Sequence, residues 1–173
     1  VLFMKPNTAL VDLCQPFDIP TQYGDCHNEA EIAILIQAPL TLATESDCEA
    51  AIWGYGIGLD LTLREVQKQL KALGRPWERA KAFDGSAPLS PFIPKAEIEN
   101  PNHLTFSLSV NDQLRQQGNS LLMIRPIIKL LSIISEQFTL LPGDVVFTGT
   151  PAGVAALNPN DKLSLTLEQY TFT

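Results

Sequence analysis

The ten residues His27–Ile36, HNEAEIAILI, decide how the rest of the chain is read. Branched apolar residues crowd the second half and Pro39 follows closely, the signature of a strand that becomes fully buried along its length. The polar beginning is the unusual part. In a strand, side chains at i, i+2 and i+4 share a face, so His27, Glu29 and Glu31 are expected on one side while Asn28, Ala30 and Ile32 point away. Two carboxylates roughly 6 Å apart repel by about 3 kcal/mol at an effective dielectric near 20, and by under about 1 kcal/mol in water. Because the strand runs directly into AILI, the pattern points to a partly buried site in which a cation or a shared proton relieves the repulsion. The alternative is an exposed strand end carrying two solvated glutamates.

A third carboxylate lies downstream. Ile52–Leu59, IWGYGIGL, alternates large residues with glycine, which suits a strand approached closely by other backbone or by a ligand. A helix is expected next, with Thr62 and Glu65 as a capping box and Leu63, Val66, Leu70 and Leu73 as its apolar stripe, stopped by Gly74 and Pro76. Asp60 then falls at a strand-to-helix junction, where it can turn inward and complete a three-oxygen set; local capping near Thr62 is the simpler role. Oxygen ligands without thiolate suit a hard cation, Mg2+ or Mn2+ with Ca2+ as a third option. Zinc fits poorly, since adjacent Cys26 and His27 would point to opposite faces of the strand.

The remaining elements follow from local pattern. Pro6, Pro16 and Pro20 break the first twenty residues into loops and edge strands. Leu104–Val110 alternates strictly, so Leu104, Phe106, Leu108 and Val110 share the buried face of a strand, and Asn111-Asp112 reads as a two-residue hairpin turn. Pro126 opens a second helix with Ile127, Leu130, Leu131, Ile134 and Phe138 as its stripe, closed by Pro142-Gly143. Asp144–Thr148 and Lys162–Leu167 read as strands joined by the turn-rich stretch TGTPAGVAALNPND.

Composition narrows the function. At 173 residues and 45% hydrophobic content, residues 1–173 are expected to form one domain with a real core. A net charge of −7 without clustered Lys or Arg argues against a nucleic-acid partner. The most apolar segment, Ile124–Ile134, is interrupted by Arg125, Pro126, Lys129 and Ser132, so no membrane span is expected. Three cysteines, Cys14, Cys26 and Cys48, without CxxC spacing favour a reducing compartment, the cytoplasm by default. No P-loop, dinucleotide fingerprint or GxSxG elbow is present. Taken alone, Lys81 reads as a surface cation, His103 as solvent-facing and Gln67 as a helix-stripe amide needing a partner. The hydroxyls and N–H groups of Thr148-Gly149-Thr150-Pro151 could face a carboxylate or form an ordinary turn.

Five motifs carry a resemblance: FMKP (Phe3–Pro6), HNEAEI (His27–Ile32), GYGIGLDLTLREVQ (Gly54–Gln67), AKAFD (Ala80–Asp84) and PGDVVFTGTPAGV (Pro142–Val154). Together, in this order and spacing, they resemble the fumarylacetoacetate hydrolase family over nearly the whole chain, closest to its small acylpyruvase-like members. The resemblance implies an α+β, predominantly β fold, a mixed β-sheet rolled into a distorted barrel or sandwich with a few peripheral helices, in a homodimer. It places the metal carboxylates on Glu29, Glu31 and Asp60, the substrate-facing glutamine on Gln67, the active-site lysine on Lys81 and the substrate-binding threonine on Thr150.

The implied chemistry begins with a small 2-oxo acid that chelates the metal, which stabilises an enolate at C3 while Lys81 adds positive charge. The leading expectation is hydrolysis of an acylpyruvate. That step also needs a general base, which the family typically carries as a histidine on an N-terminal lid preceding F-x-K-P; the chain opens at Val1, as though that segment were missing. Oxaloacetate tautomerisation or decarboxylation at the same site is the alternative, since it needs mainly the metal as electron sink. A non-catalytic, metal-stabilised binding module is the third reading.

Overall fold

The computed structural model describes residues 1–173. Its strands are β1 (Leu10–Asp12), β2 (Cys26–Asn28), β3 (Ala30–Ile36), β4 (Ile52–Leu59), β5 (Thr62–Leu63), β6 (Ala87–Leu89), β7 (Ile93–Pro94), β8 (Thr105–Val110), β9 (Gln113–Asn119), β10 (Val145–Phe147), β11 (Ala155–Ala156), β12 (Leu163–Leu167) and β13 (Tyr170–Phe172). Four helices accompany them, α1 (Glu45–Ala51), α2 (Arg64–Ala72), α3 (Glu78–Lys81) and α4 (Ile127–Ser135). The fold is α+β and mostly strand, as the family resemblance implied.

The strands form three sheets, ordered β1-β6-β4-β3-β10 with β7 beside β4, β11-β2-β5, and β13-β12-β8-β9. The apolar run of β3 is central because it is flanked on both sides. It pairs antiparallel with β4, from Ala30 opposite Leu59 to Ile36 opposite Ile52, and with β10, Val145 opposite Leu35. One buried apolar cluster joins the three sheets, with Ile32 and Ile57 from the first, Cys26 and Leu63 from the second and Leu108 and Leu165 from the third.

The glycines of β4 behave as their spacing predicted. A methyl at Gly54 would stand 2.3 Å from the Ile93 carbonyl oxygen, and one at Gly58 would stand 2.7 Å from the Pro88 carbonyl oxygen. Neighbouring backbone therefore approaches where only glycine leaves room. The Asn111-Asp112 turn is also present, with φ of 51° and 64°, the left-handed pair that a two-residue hairpin requires. Phe106, Leu108 and Val110 are buried as the alternation predicted.

Several local expectations change. The strand expected over His27–Ile36 is two strands in different sheets, interrupted at Glu29. The expected capping box of Thr62 and Glu65 is absent: α2 begins at Arg64 with no side-chain cap, and the Thr62 hydroxyl donates instead to the Asp60 carbonyl, because Thr62 is already paired with His27 in β5. A true capping box forms between Thr44 and Asp47 on α1, a helix too short to show an apolar period. Leu73 and Phe138 fall just beyond their helices and are 62% and 41% exposed.

Candidate metal centre

The interruption at Glu29 builds the site. The Glu29 carbonyl accepts the Asp60 N–H (2.8 Å), tying the junction between β2 and β3 to the end of β4, and the Leu61 N–H donates to the Ser86 carbonyl (3.0 Å). Glu29, Glu31 and Asp60 thereby converge, each offering an oxygen within 4.8 Å of the others. Three carboxylates so close cannot all stay ionised in a poorly solvated site without opposing charge. Three cations answer them. Lys81 Nζ lies 2.6 Å from Asp60 Oδ2 and 2.8 Å from Glu29 Oε2, Arg64 Nη2 lies 2.6 Å from Glu29 Oε1, and Lys5 Nζ lies 2.8 Å from Asp60 Oδ1.

The acids differ in what surrounds them. Glu31 is deeply buried, and burial followed by the neighbouring Asp60 charge pushes its carboxyl up to about 8, although the Gly149 N–H donates to Oε2 at 2.5 Å. Burial also opposes the charge of Glu29, but Lys81 and Arg64 outweigh it and leave this carboxyl below its ordinary range. Asp60 Oδ1 is buried and accepts no hydrogen bond, since Lys5 meets it as an ion pair off the hydrogen-bonding direction. An all-oxygen donor set that includes a buried carboxylate oxygen accepting no hydrogen bond fits a hard divalent cation.

The carboxylates open into a cavity of about 570 Å3, also lined by Lys5, Gln67, Trp77, Lys81, Phe147 and Thr150. That volume suits a small organic ligand. Gln67 is 8% exposed and its Oε1 accepts from Arg64 Nη1 (2.8 Å), so one guanidinium orders both Glu29 and Gln67. The Thr150 hydroxyl donates to the Ala30 carbonyl at 2.8 Å, so toward the cavity it offers a lone pair rather than a proton.

A family model described as fumarylacetoacetate (FAA) hydrolase C-terminal matches residues 1–172. The chain belongs to the fumarylacetoacetate hydrolase family. Within this family it is 53% identical over 174 residues to the oxaloacetate tautomerase YcgM of Escherichia coli (strain K12), spanning 100% of this chain and 80% of that protein. It is 37% identical over 163 residues to human mitochondrial oxaloacetate tautomerase FAHD1, spanning 94% of this chain and 74% of that protein. Among solved structures, a family protein from Yersinia pestis CO92 superposes with a TM-score of 0.98 at 51% identity, over 99% of this chain and 82% of that one. A fumarylpyruvate hydrolase from Pseudomonas aeruginosa, crystallised with Mn2+ and pyruvate, superposes with a TM-score of 0.90 at 35% identity, over 96% of this chain and 73% of that one. The chain is accordingly an enzyme of the fumarylacetoacetate hydrolase family.

The six residues singled out by the family resemblance lie around one cavity. Lys81, which taken alone reads as a surface cation, is 2% exposed: the short helix α3 turns it inward beneath Phe3, whose ring centroid lies 5.2 Å from Nζ. His27, expected beside Glu29 and Glu31, does not join the carboxylate group: it sits in β2, paired with Thr62 and Ala156, and its half-buried ring has no partner at Nδ1. His103 is exposed as expected. All three cysteines are free, and no helix is long and apolar enough to cross a membrane. Sequence reading missed Lys5 and Arg64 as part of the site. Arg64 left a signal, since it stands three residues before Gln67 on one helix face. Lys5 left only its place in the FMKP motif.

Proposed function

We propose that this protein is a divalent-metal-dependent oxaloacetate tautomerase, with Glu29, Glu31 and Asp60 as ligands for Mg2+ or Mn2+. The observation that carries the reading is the convergence of three carboxylate oxygens within 4.8 Å in a cavity shared with Lys81, Gln67 and Thr150. The expectation of acylpyruvate hydrolysis ranks second. Relatives at 53% and 37% identity bear the tautomerase name, whereas the hydrolase with Mn2+ and pyruvate is 35% identical.

When bound, the divalent ion supplies positive charge that stabilises the oxygen on which the enolate charge develops. The chain's residues position and hold protons around that event. Ketonisation breaks the enol O–H bond and forms a C–H bond at C3, with no other change in atoms and no water consumed. Lys81 holds its ammonium proton donors beside the acidic cluster, where they compensate charge on the reacting oxygen. Gln67, with its carbonyl engaged by Arg64, has its amide N–H groups left to donate to a substrate carboxylate. Thr150, presenting a lone pair, accepts from a protonated oxygen such as the enol hydroxyl.

We read the protein as cytoplasmic and as a homodimer. The free cysteines support the first, and the exposed apolar run of Leu121, Leu122 and Ile124, 64%, 84% and 97% exposed, supports the second. The deciding experiment mixes the metal-loaded protein with enol oxaloacetate and, separately, with acetylpyruvate. Faster loss of enol absorbance without pyruvate release is expected; pyruvate release from acetylpyruvate with no effect on the enol would install hydrolysis instead.

A further inference from the structure

Gln116 on β9 is 1% exposed and spends all four of its hydrogen-bonding positions on the segments that carry the site. Its Oε1 accepts from Asn28 Nδ2 at 2.7 Å and from the Ala30 N–H at 2.9 Å. Its Nε2 donates to Thr150 Oγ1 at 2.9 Å and to the Pro151 carbonyl at 3.2 Å. A ring closes when the Thr150 hydroxyl donates to the Ala30 carbonyl. Both backbone polar groups of Ala30 on the edge away from β4 are therefore satisfied by side chains, Gln116 and Thr150, where a continuing strand partner would otherwise stand.

We infer that Gln116 is a positioning residue for the metal centre and for Thr150, an inference that rests on reading Glu29 and Glu31 as cation ligands. Ala30 is the residue between those two carboxylates, and Asn28 and Ala30 flank the break between β2 and β3 at Glu29. One amide thus holds both sides of the break and the hydroxyl opposite it. The loop after Thr150 is pressed onto the same strand: a methyl at Gly153 (φ 102°) would stand 2.2 Å from the Arg115 carbonyl oxygen, and Arg115 Nη1 donates to the Ala156 carbonyl at 3.1 Å. Gln116 lines none of the cavity around the carboxylates, so it acts through its neighbours. A fully satisfied buried amide of this kind fixes geometry because any displacement strands a polar atom in a dry place.

The test uses the whole chain and Mn2+ as probe, with affinity read by electron paramagnetic resonance of the free ion. Gln116→Met keeps the shape and removes all four bonds; Mn2+ affinity falls about tenfold or more, as for other residues that orient ligands. Gln116→Glu keeps the acceptor for Asn28 and Ala30 but loses the donors to Thr150 and Pro151; its Mn2+ affinity changes less while KM for enol oxaloacetate rises. Should Gln116→Met fail to fold, Thr150→Val breaks the same ring at its other corner, with Thr150→Ser as the rescue. In the double variant Gln116→Met/Thr150→Val the loss of affinity is no greater than in the worse single variant. A lowered melting temperature with unchanged Mn2+ affinity and KM overturns the inference and leaves the metal centre standing. Wild-type protein that binds no Mn2+ overturns the metal reading itself.

Discussion

The Lys81 ammonium lies 2.6 Å from Asp60 Oδ2 with only 3% and 4% of the two side chains exposed. Removing Lys81 would leave Asp60 with Lys5 alone and Glu29 with Arg64 alone, a partial loss of compensation that costs up to about 3 kcal/mol. Lys81→Met is expected to lose that stability in chemical denaturation and to abolish turnover. Lys81→Arg will not rescue turnover, because a planar guanidinium cannot occupy the compact space between Glu29 and Asp60. Turnover in Lys81→Met near that of the wild type would remove Lys81 from the mechanism.

The proposed metal dependence rests on the three acids. Dialysis against a chelator is expected to reduce enol turnover at least about a hundredfold, with Mn2+ or Mg2+ restoring it. Glu29→Ala, which also deprives Lys81 and Arg64 of a partner, should leave no restorable activity. Full turnover in that variant would sink every enzymatic reading of this site.

Glu31 supplies a pH signature. Burial raises its carboxyl to about 8 in the folded chain, well above its ordinary value. The folded state therefore holds this proton more tightly than the unfolded chain, favours folding at low pH, and loses that advantage as pH climbs toward 8. In the presence of chelator, thermal stability is expected to decline over that interval, and Glu31→Gln should flatten the decline. Mn2+ binding below that pH should release a proton, visible by calorimetry in buffers of different ionisation heat. A pH-independent difference between wild type and Glu31→Gln would contradict the buried acid.

Arg64 orders two site residues at once through Glu29 and Gln67. Arg64→Lys keeps the charge but offers no fork, so KM should rise several-fold while stability falls by roughly 1 kcal/mol. Steady-state kinetics beside a denaturation curve separate the two effects, and an unchanged KM would reduce Arg64 to a structural ion pair.

Gly58 tests the crowding of β4. Its added methyl in Gly58→Ala would meet the Pro88 carbonyl and the Phe147 ring, each within 2.7 Å. Overpacking of this kind costs about 1–3 kcal/mol or more, measurable as a lower denaturation midpoint.

Much of the fold was legible because local physics wrote it directly. Alternation exposed β8, glycine spacing marked where backbone crosses β4, and Asn111-Asp112 named its hairpin. What escaped were short pieces such as α1, α3, β6 and β13, whose few residues carry no full period. Residue type and spacing alone put three acidic side chains, Glu29, Glu31 and Asp60, within reach of a shared role, a donor set suited to the proposed hard cation. The convergence of those oxygens was decided only by the tertiary structure, because Gln116, Thr150 and Asp60 come from distant segments to hold the break at Glu29. The same holds for Lys81: nothing local distinguishes it from a surface lysine, and only packing against Phe3, Glu29 and Asp60 takes it out of water and makes its charge count.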